Sequence, residues 1–283
     1  MTALPNCIII IWGLAQILLK MSKIKSILII TIATILIGIS SFWIYNKYFA
    51  FKEYRAGVII SFDDHYVSEW LWADSILQKY HWKASFNLSN FDKFDDDKYS
   101  KLRYLQSEGH EMACHGLNHL DAIETMQDSG IQHYLDIETL PMLKIMKKEF
   151  GGVNTFVYPY GSRNKETDKI LLKYFNIVRG TTWFKEDLNG KSCYFKNGSH
   201  EVNALGIDAN YEYMNIKNIT NKLDYARDNQ KILILYAHVP CDSVTRKYQI
   251  HINTLKYISN YVNEYNMRFY TFSDLDSINT VNL

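Results

Sequence analysis

The stretch Gly57-Val58-Ile59-Ile60-Ser61-Phe62-Asp63-Asp64-His65 constrains this chain most, because an apolar, β-branched run ends on two adjacent carboxylates. Val58 to Phe62 shows almost no polar alternation, which is how a strand buried on both faces of a parallel sheet reads. Asp63 and Asp64 then sit at a strand's C-terminal edge. Barrels and open α/β sheets place their chemistry there, since the βα loops can vary without disturbing the core. Taken alone, an Asp at such an edge is as readily a turn residue or a helix N-cap.

From Ala56 onward, apolar runs alternate with helical patterns, the βαβα signature of a parallel sheet or barrel. Strands are predicted at 58–62, 83–88, 111–114, 155–158, 177–181, 232–237 and 268–272, with helices at 69–80, 98–107, 131–150, 165–175, 213–229 and 248–263. Pro141 should kink the long helix or start a new one. Residues 182–212 contain Gly190, Gly198 and Gly206 and read as a long, irregular, functional loop. The result is about seven βα units, one short of a standard eight-unit barrel.

A chain of 283 residues, 47% of them hydrophobic, can bury a full core and is too apolar to be disordered. Lys plus Arg number 31 against 30 Asp plus Glu, so no basic surface advertises nucleic acid as a partner. Cys7, Cys114, Cys193 and Cys241 have no C-x-x-C spacing and suggest neither a zinc knuckle nor a disulfide framework.

Residues 1–50 carry two apolar runs, and the domain boundary is placed between them and 51–283. Cys7 to Leu19 is too short to span a bilayer, whereas Ile27 to Tyr45 is uncharged and approaches the roughly 20 residues a spanning helix needs. Lys23 and Lys25 precede it, and Trp43, Tyr45 and Tyr48 crowd its far end, so a membrane-anchoring transmembrane helix is expected, with the remainder outside the cytoplasm. Lys47, Lys52 and Arg55 balance the near-side lysines. Met21 is an alternative start, and a signal peptide cleaved near Gly38-Ile39-Ser40, releasing a secreted domain, is the competing reading.

Four strand ends present polar groups that can converge. The first carries Asp63 and Asp64. The third carries His115-Gly116-Leu117-Asn118-His119, whose i, i+4 spacing puts both imidazoles on one side of a helical turn. Two imidazoles and one carboxylate make a three-ligand zinc set that leaves a position open, although a lone H-x-x-x-H is mostly accidental. The fourth carries Tyr158-Pro159-Tyr160-Gly161, a turn able to press backbone N–H groups and a ring against a ligand, or simply a tight turn with a packed tyrosine. The sixth delivers His238. His81, His110, His133, His200 and His251 lack comparable placement and are read as structural.

Ser-Phe-Asp63-Asp64, His115-x-x-x-His119, Tyr158-Pro159-Tyr160-Gly161 and the late His238, in that order, resemble the motifs of the polysaccharide deacetylases, the NodB-like carbohydrate esterases. The resemblance covers roughly Ala56 to Phe272. It implies an α/β fold, a distorted barrel of seven βα units, and a hydrolase that removes N-acetyl groups from an amino-sugar polysaccharide at the cell surface. It further implies that Asp63 is the general base, that Asp64, His115 and His119 hold a divalent metal, usually Zn2+ with Co2+, Ni2+ or Mn2+ as alternatives, that His238 is the general acid, and that the Tyr160 N–H after Pro159 steadies the oxyanion.

The chain departs from the family pattern at two motif positions. His65 stands where a glycine follows the aspartates, lining the pocket or facing solvent. Val157 replaces the arginine that normally orients the base, leaving Arg163 or Arg179 to take its place. The Asp that tunes the acid histidine is Asp187, Asp208 or Asp242. These departures keep two alternatives open: a carbohydrate-binding scaffold that has lost turnover, and a deacylase acting on O-acetyl esters or formamides. The identity of the glycan is not written in the motifs.

Overall fold

The structure, a computed structural model, describes residues 23, 25, 27, 28, 31–41, 54–182, 190–211 and 213–281. The chain forms two compact units, Met1–Glu53 and Tyr54–Leu283. In the first, residues 27, 28 and 31–41 are helical and exposed. Among the described residues no helix is long and apolar enough to cross a membrane. The transmembrane helix expected over 27–45 falls partly outside them, as do the Cys7 to Leu19 run and Met21.

The second unit alternates strands and helices: β1 Gly57–Asp64, α1 Val67–Leu77, β2 Ala84–Leu88, α2 Asp96–Ser107, β3 Glu111–Cys114, α3 Ala122–Ser129, α4 Ile131–Tyr134, α5 Leu140–Phe150, β4 Thr155–Val157, α6 Lys165–Leu171, β5 Ile177–Thr181, β6 Glu201–Gly206, α7 Ile216–Asp228, β7 Ile232–Ala237, β8 Val239–Cys241, β9 Gln249–His251, α8 Ile252–Glu264, β10 Arg268–Tyr270 and α9 Phe272–Val281. Strands β1 to β7 pair in parallel, and β7 returns to β1, closing a seven-stranded barrel. Gly57 to Ile59 pair with β10 and Ile60 to Asp64 with β2, so β1 splays between two neighbours. That splay distorts the barrel.

The seven units expected from the sequence are present, with a different membership. Glu201–Gly206, inside the segment read as irregular, is the sixth barrel strand. Its Val202 is buried between the polar Glu201 and Asn203 and is followed by the buried Ala204 and Leu205, and the glycines around it masked that pattern. The predicted strand over 268–272 lies on β1 outside the ring. Residues 183–189 of the expected functional loop, Asp187 among them, lie outside the described residues.

Pleating sends alternate residues of β1 to opposite faces. Val58, Ile60 and Phe62 belong to the large core beneath the helices, whereas Ile59 belongs to a second cluster with Val157, Ile177, Val202 and Ile234, which fills the lower lumen. On that alternation Asp63 faces the top of the lumen.

Candidate active site

Asp63 is buried, and two side chains converge on its Oδ1. Asn87 Nδ2, from β2, donates at 2.7 Å and Arg179 Nη2, from β5, at 2.5 Å. Arg179 is wholly inaccessible to solvent, and its guanidinium lies over the Tyr236 ring with Cζ 4.9 Å from the centroid. Arg179 is register partner to Val157 on the adjacent strand, so a cation reaches Asp63 from one strand further along the sheet. The other candidate, Arg163, is engaged by Asp168 at 2.6 Å and by Asn203 at 3.0 Å. Burial alone would raise the Asp63 carboxyl, but the charges of Arg179, His115 and His238 and the Arg179 hydrogen bond outweigh it and hold the group well below the usual carboxylate range.

The next residue turns the other way. Asp64 ends β1 with φ +87°, a backbone state that costs a non-glycine residue free energy and that clusters at functional sites. Its Oδ1 lies 3.8 Å from His115 Nε2 and 3.4 Å from His119 Nε2, and the two imidazole nitrogens are 3.2 Å apart. His115 Nδ1 donates to the Val157 carbonyl at 2.9 Å, which leaves the Nε2 lone pair of the neutral ring directed at this cluster. Burial and the neighbouring His119 lower the His115 pKa to about 4 against the pull of Asp63 and Asp64, so the ring is neutral at pH 7. Three donor atoms within 4.8 Å of one another, two of them imidazole nitrogens, suit a divalent metal such as zinc.

The expected helical turn between the two histidines is absent. Residues 115–121 form a loop in which Gly116 has φ +81° and His119 φ +63°. The imidazoles meet because the backbone doubles back, not through helical spacing.

Opposite the cluster, His238 follows β7. Its Nδ1 donates to Asp208 Oδ2 at 2.6 Å, and its backbone N–H donates to Asp208 Oδ1 at 3.1 Å. Burial lowers the His238 pKa, but the hydrogen bond and charge of Asp208, with Asp63 and Asp64 behind it, reverse this and raise it. Of the other two candidates for this role, Asp242 is exposed and Asp187 is not among the described residues. Tyr160 sits on the rim, 71% exposed, with its ring edge-on to His119 at 4.7 Å. Pro159 and Gly161 enforce that turn. Gly161 has φ +67°, and a Cβ there would lie 2.1 Å from Thr181 Oγ1.

Asp63, Asp64, His115, His119, Tyr160, Arg179 and His238 line one cavity of about 350 Å³, walled also by Tyr66, Tyr211, Tyr236 and Tyr248; Pro159, Asn87 and Asp208 stand behind that wall. His65 is not part of that wall; its ring stacks on Tyr66 at 4.9 Å. His110, read as structural, accepts from the Ala84 N–H and donates to Asp74. Asn87 was missed in the sequence. The signal was there, a lone amide inside the buried run Ala84–Leu88, as was the lone cation inside Ile177–Thr181.

The sequence model of the polysaccharide deacetylase family matches residues 53–174. Among solved structures, a peptidoglycan N-acetylglucosamine deacetylase bound to a naphthalenyl N-oxidanyl-benzamide is 15% identical, with a TM-score of 0.51 over 79% of this chain and 89% of that one. A mutant of a CE4 family pseudoenzyme with restored enzymatic activity is 14% identical, with a TM-score of 0.51 over 79% of this chain and 68% of that one. A peptidoglycan deacetylase of Bacillus subtilis is 16% identical, with a TM-score of 0.49 over 80% and 93%. At such identities the likeness to the first two is one of fold. No curated protein matches the chain in sequence. The segment that bears both aspartates, the histidine pair and the Pro-Tyr-Gly turn is thus the one that matches the polysaccharide deacetylase family.

Proposed function

We propose that the chain is a metal-dependent hydrolase that removes N-acetyl groups from an amino-sugar polysaccharide of the cell surface or extracellular matrix. One observation carries this reading: a three-donor cluster, a carboxylate held ionised and a histidine held protonatable all line the same cavity. Zn2+ on Asp64, His115 and His119 would supply Lewis acidity toward the acetamide carbonyl and toward water.

The chain's own residues divide the remaining work. Asp63, kept anionic by Arg179 and Asn87, accepts the proton of the attacking water through the oxygen that those two side chains leave free. The Tyr160 N–H, fixed by the Pro159–Gly161 turn, donates to the oxygen on which charge develops. His238, oriented by Asp208, gives its Nε2 proton to the departing amine. The ring of tyrosines suits the faces of sugar rings.

The full chain should bind about one Zn2+ and release acetate from N-acetylglucosamine oligomers. A protein that takes up no zinc, or whose turnover is untouched by Asp63→Asn, is not this enzyme. Product masses distinguish acetate released from an amide from acetate released from an ester, and from formate. The sequence over 27–45 supports a catalytic domain held outside the cytoplasm by its N-terminal stretch. Protease added to intact cells should then cut that domain; protection until lysis would contradict the placement.

A further inference from the structure

His115 and His119 are held by different means. His115 follows directly on β3 with its ring pinned to the Val157 carbonyl. His119 lies four residues into a loop, with a left-handed backbone, and among the described residues no acceptor holds its Nδ1. What holds His119 is therefore a property of the loop backbone.

One side chain grips that backbone. Glu138 is wholly buried, and its carboxylate accepts the Asn118 N–H on Oε2 at 2.6 Å and the Leu120 N–H on Oε1 at 2.6 Å, the N–H groups of the two residues on either side of His119. Asn118 Nδ2 donates to the same Oε2 at 3.1 Å and to the Ile137 carbonyl at 3.2 Å. No Lys, Arg or His among the described residues pairs with this carboxylate, so its charge is met by loop N–H groups. On the loop side Gly116 makes room, since a Cβ there would lie 3.0 Å from Glu138 Oε1.

The helix sequence explains why this carboxylate is available. Pro141 has no N–H to return to the carbonyl four residues earlier, that of Ile137. The chain just before it, Leu135–Thr139, is wound as a wider π-helical turn, and α5 starts afresh at Leu140. The freed Ile137 carbonyl and the Glu138 carboxylate both point at Asn118.

We propose that Glu138 is a positioning residue for the metal cluster: by accepting the N–H groups on either side of His119, it holds the loop in the left-handed conformation that aims His119 at Asp64 and His115. The inference rests on the metal-binding reading above. Outer partners of this kind typically change metal affinity by about 10- to 100-fold.

The test measures Zn2+ affinity of the purified full chain by competition with a chromophoric chelator, and records the visible absorption of the Co2+-loaded protein. Glu138→Gln, which keeps shape but offers one acceptor oxygen, should weaken Zn2+ binding about 10-fold and Glu138→Ala about 100-fold, each with an altered Co2+ spectrum. Asn118→Ala, at an exposed site, keeps the backbone N–H and should cost only a few-fold, so it remains informative if Glu138→Ala does not fold. Unfolding of the metal-free proteins separates positioning from stability. Lower stability with wild-type Zn2+ affinity and an unchanged Co2+ spectrum in Glu138→Gln would overturn the assignment. Wild-type protein that binds no Zn2+ would instead remove the metal reading on which it rests.

Discussion

Asp63 and His119 face the same cavity and are held in contrasting ways. Asp63 is built into β1, fixed by pairing to β2 and β7 and by hydrogen bonds from Asn87 and Arg179 on two other strands. His119 stands on a loop whose conformation depends on one carboxylate from a helix. On the strand side many weak constraints share the load, so losing one changes charge before it changes position. On the loop side a single substitution frees the ligand. The strand side should therefore fail in chemistry and the loop side in metal retention.

The largest break expected on the strand side is Asp63→Asn. Removing the base should cut kcat by about 10²–10⁴-fold while Zn2+ affinity stays near wild type; a parallel loss of metal would erase the contrast between the two sides. Arg179→Met comes next. It leaves a buried carboxylate without its cation, a change that costs about 3–5 kcal/mol in comparable buried pairs, readable by urea unfolding at pH 7. The sign follows from the depressed Asp63 pKa: the pair's contribution is present above the ordinary carboxylate value of about 3.9 and is lost as pH falls through the folded value. The variant should lack that acid-side loss, and the acid limb of its kcat/KM profile should move to higher pH.

Asp208→Asn should act more gently and at the other end of the pH scale. His238 must carry a proton to act as an acid, so activity falls as pH rises through its pKa, which Asp208 helps to hold above the ordinary 6.5. Replacing Asp208 should shift the alkaline limb of kcat to lower pH, and an unmoved limb would detach Asp208 from His238. The stability linked to this raised pKa is fully present below 6.5 and is lost as pH rises through the folded value. Smallest of all, Tyr160→Phe should leave kcat/KM within about 0.5 kcal/mol of wild type, because the turn presents its backbone N–H and the side chain is exposed. A large loss would assign the hydroxyl a role in binding.

Much of the site was legible along the chain because it lies at strand ends. A buried β-branched run followed by polar residues is a local pattern, and it marked Asp63, Asp64, His115, Tyr160 and His238. The H-x-x-x-H spacing pointed to two rings that do meet, but a doubled-back loop and not a helical turn brings them together. The sixth strand escaped notice because it opens on the polar Glu201 and Asn203 and lies among glycines. Asn87 and Glu138 were not foreseen, because an amide in a strand and a carboxylate in a helix look ordinary until their partners are known.

The sequence by itself determined the alternation of strands and helices and which strand ends carry carboxylate and imidazole, since these follow from local periodicity and turn chemistry. Only the tertiary structure decided which cation serves Asp63, which Asp serves His238 and what holds His119. Arg179 lies 116 residues from Asp63 and Asp208 lies 30 from His238. Closing a parallel sheet into a ring joins residues that have no spacing rule between them, and strands apolar on both faces conceal which side chains point inward.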